Sequence, residues 1–169
     1  MQIRRLEVSD APVYREFRLR GLHEYPDAFT SSFEEESQRP LADTESRLSP
    51  ASDTHIWGAF LEGTLAGVVG LSQETRLKNR HKATLVAMYV APEFSGQGLG
   101  LALVTTVVQQ ARASGVELIV LTVTDSNLQA IALYTRAGFT SFGVEPDAIR
   151  VHGVPYGKQH MYLQLTSAT

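Results

Sequence analysis

The sequence predicts a single α/β (α+β) domain: a mixed, mostly antiparallel, twisted sheet of about seven strands with helices on both faces. Three observations carry that expectation. Two apolar runs, His55–Leu61 and Thr64–Ser72, flank the turn dipeptide Glu62-Gly63 and read as a β-hairpin. The β-branched run Val116–Thr124 reads as a central strand covered on both faces. Between them the glycine cluster Ser95–Gly100 joins a strand to a helix-period segment. An antiparallel front half therefore runs into a βαβα back half.

The remaining elements follow in order. Gln2–Glu7 is a short first strand. Asp10 can cap a helix with Pro12 in its first turn and Val13, Tyr14, Phe17 and Leu22 as its apolar stripe. Residues 24–50 hold several Pro, Ser and Glu residues and read as loops plus a short helix around Thr44–Leu48. His81–Val90 is a strand ended by Pro92. Leu99, Ala102, Leu103, Thr106, Val107, Gln110 and Ala111 trace a helical period that Gly115 closes. Ser126-Asn127-Leu128-Gln129 matches a capping box with Ser126 as N-cap, and Gly138 ends the helix it opens. Phe139–Val144 and His160–Leu165 are the last strands, with Pro146–Gly157 a long connection between them. No repeat or linker divides residues 1–169, so one domain is expected.

Composition narrows the function. The chain of 169 residues carries a formal net charge of −3 and no cysteine. Disulfides, zinc–thiolate sites and thiol nucleophiles are excluded, no metal site is expected, and a reducing cytoplasmic location fits. The basic face that a nucleic-acid binder needs is not evident. Neither a hydrophobic signal core at Met1–Leu6 nor an apolar run of about 20 residues is present, so neither export nor membrane insertion is expected.

The glycine loop is the first candidate site. Gly96, Gly98 and Gly100 let backbone N–H groups approach a ligand, and the helix that starts there turns its free amides and positive dipole end toward the loop. That combination suits a pyrophosphate. The spacing is G-x-G-x-G, not the dinucleotide G-x-G-x-x-G, and no Lys-Ser/Thr pair follows as in a P-loop. Taken alone, the loop is equally well a tight turn. A second motif, Asn127-x-x-Ala130-x-x-x-Tyr134-x-x-x-Gly138-Phe139, lies one βα unit later. Asn127 and Tyr134 are nearly two helical turns apart and share a face. Either residue alone also has a plain structural reading, Asn127 as a helix cap and Tyr134 as a core aromatic.

Together, the two motifs resemble the GNAT superfamily of acyl-CoA N-acyltransferases, closely over Leu85–Val144 and more loosely at His160–Leu165. The resemblance implies a GNAT-like fold and an N-acetyltransferase. It would move the acetyl group of acetyl-CoA, its cosubstrate, to a primary amine of a small molecule or peptide by direct attack. A homodimer is common in such a family. The resemblance also implies residue roles. Backbone groups of Met88, Tyr89 and Val90 would pair with the pantetheine arm. Amides of Gly96, Gln97, Gly98, Leu99, Gly100 and Leu101, following Ser95, would hold the pyrophosphate. Asn127 would face the cofactor, and Tyr134 would protonate the departing thiolate. The rival reading is a non-catalytic acyl-CoA sensor, which has no need of the Tyr134 acid.

One departure stands out: Ser95 takes a position that is usually Arg or Gln, and Gln97 takes another that is often basic. The loop thus lacks a cationic side chain, and phosphate binding would rest on amides unless Arg80, Lys82 or Arg112 supplies charge. Glu24, Glu74, His81 and Asp125 are base candidates by type, but water-mediated deprotonation of the amine is expected because Thr84–Met88 lacks a carboxylate. Glu24, Tyr25 and Phe29 are candidates for the acceptor wall, with Glu24 or Asp27 attracting a cationic substrate. Tyr156, in a roofing loop over residues 143–157, is a further candidate.

Overall fold

The computed structural model describes residues 1–165. β1 (Gln2–Arg5) leads through a 3-10 turn to α1 (Ala11–Glu24), then to α2 (Phe33–Glu36) and α3 (Leu41–Leu48). The hairpin β2 (Thr54–Leu61) and β3 (Thr64–Gln73) comes next, followed by β4 (Lys82–Val90) and α4 (Leu99–Ala113). β5 (Leu118–Thr124), α5 (Leu128–Arg136), β6 (Thr140–Val151) and β7 (Val154–Gln164) follow. The expected strands are all present. α2 is additional; Ser32 starts it by accepting a hydrogen bond from the Glu35 N–H.

The seven strands form one sheet in the order β1-β2-β3-β4-β5-β7-β6, antiparallel at every step except β4–β5. Helices cover both faces, and the two faces carry separate cores. On one face Leu6, Tyr14, Phe17, Leu48, Ile56, Val68 and Tyr89 pack under α1 and α3. On the other, Trp57, Val69, Ile119, Leu121 and Met161 pack under α4 and α5. Val68 and Val69 fall on opposite sides, as alternation along a strand requires. The α4 stripe is Leu99, Leu103, Val104, Val107 and Ala111, all buried. Each buried leucine there contributes about 2 kcal/mol relative to exposure. In α1 the stripe runs through Tyr14, Phe17 and Gly21, while Val13, expected inside, is 54% exposed. Gly21 lies against the Tyr89 ring, where a Cβ would meet ring carbons at 3.1 Å.

Two caps differ from expectation. Helical geometry after β5 begins at Leu128, so Asn127 and not Ser126 is the N-cap: its side-chain oxygen accepts from the Ala130 N–H at 3.2 Å. Asp10 precedes α1, but its carboxylate receives the Arg4 guanidinium at 2.8 and 2.9 Å and the Glu7 N–H at 2.7 Å. The Arg4 hydrogen bonds hold that carboxyl below the usual aspartate range.

The expected connection over residues 146–157 is a β-ribbon. His152 and Gly153 both take positive φ, 49° and 79°, the signature of a tight hairpin turn, as do Glu62 and Gly63 at 49° and 80°. Pro146 sits where the β6–β7 register shifts, between Glu145 and Ile149, and β6 is an edge strand. Proline is tolerated at both kinds of position, so it does not break this strand. Among the described residues no helix is long and apolar enough to cross a membrane.

Candidate active site

Two backbone irregularities make the cleft. β4 and β5 pair only through Lys82↔Leu118, Ala83↔Ile119 and Thr84↔Val120, although β4 continues to Val90 and β5 to Thr124. Past Thr84 the two strands part, and the edge of β4 toward β5 has no strand partner among the described residues. The second irregularity is a bulge in β4. Val68 pairs with Tyr89 and Gly70 with Val86, so β4 spends one residue more than β3 over that stretch. Ala87 carries it at a φ of 57°, a left-handed conformation rare for a residue with a Cβ. The splay also corrects the expectation for β5. Ile119, Leu121 and Val123 are buried, whereas Val120 is only partly covered and Thr122 is exposed, because their face borders the gap.

A groove of about 530 Å³ runs from the gap to the start of α4, lined by Met88, Tyr89, Val90, Ser95, Gly96, Gly98, Leu99, Gly100, Leu101 and Asn127. Gln97 is not in that lining, and its side chain is exposed. The loop lies open because Gly96 and Gly98 take φ of 77° and 79°, and a Cβ at either would meet nothing within 4 Å. The N–H groups of residues 96–101 have no hydrogen-bond acceptor among the described residues, and the first α4 bond is Ala102 N–H to Gly98 C=O at 3.1 Å. Gly100 differs from the other two. A Cβ there would sit 3.1 Å from Leu133 and 3.4 Å from Met88, so its bareness lets α5 and β4 close on α4. The Ser95 hydroxyl donates to Pro92 C=O at 2.8 Å and shapes the turn. Arg136, in the last turn of α5, lines the groove and brings a cationic side chain to it, a role for which the sequence suggested only Arg80, Lys82 and Arg112.

A smaller cavity of about 300 Å³ adjoins the groove along Ala28, Phe29, Met88, Asn127 and Ala130. It lies in the gap, between Thr84–Met88 of β4 and Thr122 and Val123 of β5, and Tyr134 lines it. Tyr134 is 5% exposed and packs edge-on against Phe139, with ring centroids 5.9 Å apart. Burial raises its phenol pKa above the ordinary value, which keeps the proton on oxygen. Asn127 both caps α5 and lines the two cavities. Tyr89, which lines the groove, has a buried hydroxyl without a partner among the described residues, and burial pushes its pKa up to about 12.

The acceptor-wall candidates separate. Phe29 lines both cavities, and Tyr25 lines the groove. Glu24 lines neither and pairs with Arg20 at 3.0 Å. Tyr156 also lines neither; it pairs with Ile149 inside the ribbon. Of the base candidates, Glu24, Glu74, His81 and Asp125, none lines the smaller cavity. Its charged lining is instead Arg18, Arg47 and Lys158. No sequence signal flagged these three, because they come from α1, α3 and β7 and share no motif.

The family model of the acetyltransferase (GNAT) family matches residues 19–139. The chain belongs to that family. Among curated relatives, mycothiol acetyltransferase of Stackebrandtia nassauensis is 47% identical over 51 residues, 30% of this chain and 17% of that one. Human N-acetyltransferase 8B is 35% identical over 101 residues, 59% of this chain and 44% of that one. The chain thus spans less than half the length of either relative. A GNAT-family acetyltransferase from Streptococcus pneumoniae superposes with a TM-score of 0.88 at 26% identity, over 96% of this chain and 98% of that one. A phosphinothricin acetyltransferase from Sinorhizobium meliloti, solved with acetyl-CoA, shares the fold with a TM-score of 0.80 at 23% identity, over 97% of this chain and 88% of that one.

Proposed function

We propose that the chain is an acetyl-CoA-dependent N-acetyltransferase acting on a primary amine in a ternary complex. The observation that carries this reading is the splay of β4 from β5, with the glycine loop at one end of the groove and Tyr134 beside the gap. The residues fit the cosubstrate. Unsatisfied amides at residues 96–101 suit a pyrophosphate, and the unpaired edge of β4 after Thr84 suits an extended amide-bearing arm. Arg136 adds a positive charge to the groove's lining.

Acetyl-CoA supplies an activated acetyl thioester. Backbone N–H groups near the Ala87 bulge are candidate donors to the oxygen on which negative charge develops. Tyr134, protonated and lining the smaller cavity, serves as the acid for the departing thiolate. Among the described residues neither a carboxylate nor a histidine lines that cavity, so the amine gives its proton to water. The cationic lining favours the neutral amine, because like charges disfavour an ammonium. The reaction needs no covalent enzyme intermediate, and the cysteine-free chain suits a reducing cytoplasm.

A non-catalytic acyl-CoA sensor would need the groove but not Tyr134. The experiment is twofold. Acetyl-CoA should raise the melting temperature by mass action, and an amine panel should release free CoA. A thermal shift without CoA release from any amine would favour the sensor; the absence of a shift at millimolar acetyl-CoA would remove the cosubstrate from the reading.

A further inference from the structure

We infer that the acceptor amine carries an anionic oxyacid group, such as a carboxylate, and that Lys158, with Arg18 and Arg47, holds it. This inference rests on the acetyltransferase reading and specifies its substrate class. Its basis is charge accounting in the smaller cavity. Among the described residues three cationic side chains line it, and no carboxylate does. Lys158 is 8% exposed, and its ammonium donates to the Thr30 hydroxyl at 2.6 Å.

The carboxylates around Lys158 are otherwise placed. Glu145, its register partner on β6, attracts the Lys158 charge without contacting it and receives the His160 imidazole at 3.2 Å. Asp125 lies against the backbone of Gly157. Neither forms an ion pair with Lys158 among the described residues. Arg18 donates to the Ser31 hydroxyl at 3.3 Å, and Arg47 has a buried Nε without an acceptor among the described residues. Neither arginine has a carboxylate partner among the described residues.

A partly buried ammonium whose one hydrogen bond among the described residues goes to a neutral hydroxyl is costly, and so is a guanidinium nitrogen left without an acceptor. An oxyacid anion entering the cavity supplies what all three lack, since its oxygens accept several hydrogen bonds at once. The volume of about 300 Å³ suits a small molecule such as an amino acid. Bound that way, the acceptor has its anion near β7 and α1 and its amine free to face Met88 and Tyr134 across the same cavity. A cationic acceptor, expected from the sequence with Glu24 or Asp27 as its anchor, would meet three like charges.

The test compares acetylation of α- and ω-amino acids with that of their carboxamides, their decarboxylated amines and the matching aminoalkylphosphonates. Wild type should favour acids over carboxamides by about tenfold to a hundredfold in kcat/KM, the range for a hydrogen bond to a charged group. The phosphonate arm separates carboxylate from phosphate-type acceptors. Lys158→Met should collapse the acid-to-amide ratio, and Lys158→Arg should restore part of it. Arg18→Gln, on a partly exposed helix face, is the second variant should Lys158→Met fail to fold. Equal rates for acids and amides, or a ratio unchanged in both variants, would overturn the inference. A uniform loss for every amine, not rescued by Lys158→Arg, would instead mark Lys158 as a base and also overturn it. If no amine turns over, thermal shifts by the acids on the CoA-bound protein still decide: a shift lost in Lys158→Met supports the anion site, and no shift at millimolar acid sinks it. Failure of the cosubstrate reading appears separately, as no shift with acetyl-CoA.

Discussion

Lys158 of β7 donates a hydrogen bond to the Thr30 hydroxyl at 2.6 Å, joining residues 128 positions apart in the chain. Its register partner Thr124, on β5, donates from its own hydroxyl to the Asp27 carbonyl. The two bonds hold the segment after α1 over the parted ends of the sheet, where Phe29 becomes a wall of both cavities. Burial draws the Lys158 pKa below that of an ordinary lysine. As a fold stabiliser the arrangement is poor, because a neutral hydroxyl does not replace the hydration of an ammonium. Its position places it in the lining of the smaller cavity, beside the gap.

Thr30→Val should therefore cost about 1–3 kcal/mol of stability, because it strips the ammonium of its partner while keeping the side chain's shape. The same substitution on a Lys158→Met background should cost much less, with a coupling of about 1 kcal/mol or more between the two positions. Urea unfolding of the four proteins measures this. Equal costs in both backgrounds would mean that the hydrogen bond supports neither residue.

The sign of the pH dependence follows from the lowered Lys158 pKa. Between its folded value and the unfolded value near 10.5, the unfolded chain binds the extra proton, so this group makes stability rise with pH. At neutral pH the burial penalty is present in full. Lys158→Met should thus be more stable than wild type at pH 7, and the difference should shrink as the pH approaches 10. Paired thermal melts across that window read it out. A difference that widens with alkalinity would contradict the assigned shift.

Much of the fold was legible because its signals are local. The Glu62-Gly63 turn, the period of α4 and the glycine stops at Gly115 and Gly138 each act within a few residues. The β6–β7 ribbon was not legible, since Pro146, Gly153 and Pro155 read as loop formers; only the positive φ at His152 and the register shift before Ile149 reconcile them with a strand. The groove between the glycine loop and α5 was legible through its two motifs. The charge at Arg136 was not, because it depends on how α5 packs against Gly100. Nor was the cationic lining of the smaller cavity, since Arg18, Arg47 and Lys158 meet only through the tertiary fold.

Gly98→Val probes the loop. At a φ of 79° a β-branched residue is strained, and the cost should be about 1–3 kcal/mol in stability. Acetyl-CoA affinity should fall further than that strain alone explains, because the side chain would stand in the open space beside the free amides. Calorimetric titration against a stability-matched control separates the two effects. Retained affinity would reduce the loop to a turn.

Arg136→Gln should act more gently. The side chain is exposed, and a charge pair there is worth only about 0.2–1 kcal/mol, so the dissociation constant for acetyl-CoA should rise about twofold to fivefold. The deficit should fade with added salt, since screening already weakens the wild-type contact. A deficit that persists at high salt would argue against a phosphate partner.

Tyr134→Phe separates catalysis from binding. The ring packs on Phe139 and fills the wall of the smaller cavity, so losing only the hydroxyl leaves that packing in place. Acetyl-CoA affinity should stay near wild type. If the hydroxyl protonates the departing thiolate, kcat should fall about a hundredfold or more, the ordinary range for losing a positioned acid. Acetyl donors with more acidic thiols need that proton less, so the variant's deficit should narrow as the thiol pKa of the donor falls. This dependence distinguishes an acid from a residue that merely shapes the cavity, whose loss would slow every donor alike. An unchanged kcat, or a deficit indifferent to the leaving group, would remove Tyr134 from the chemistry.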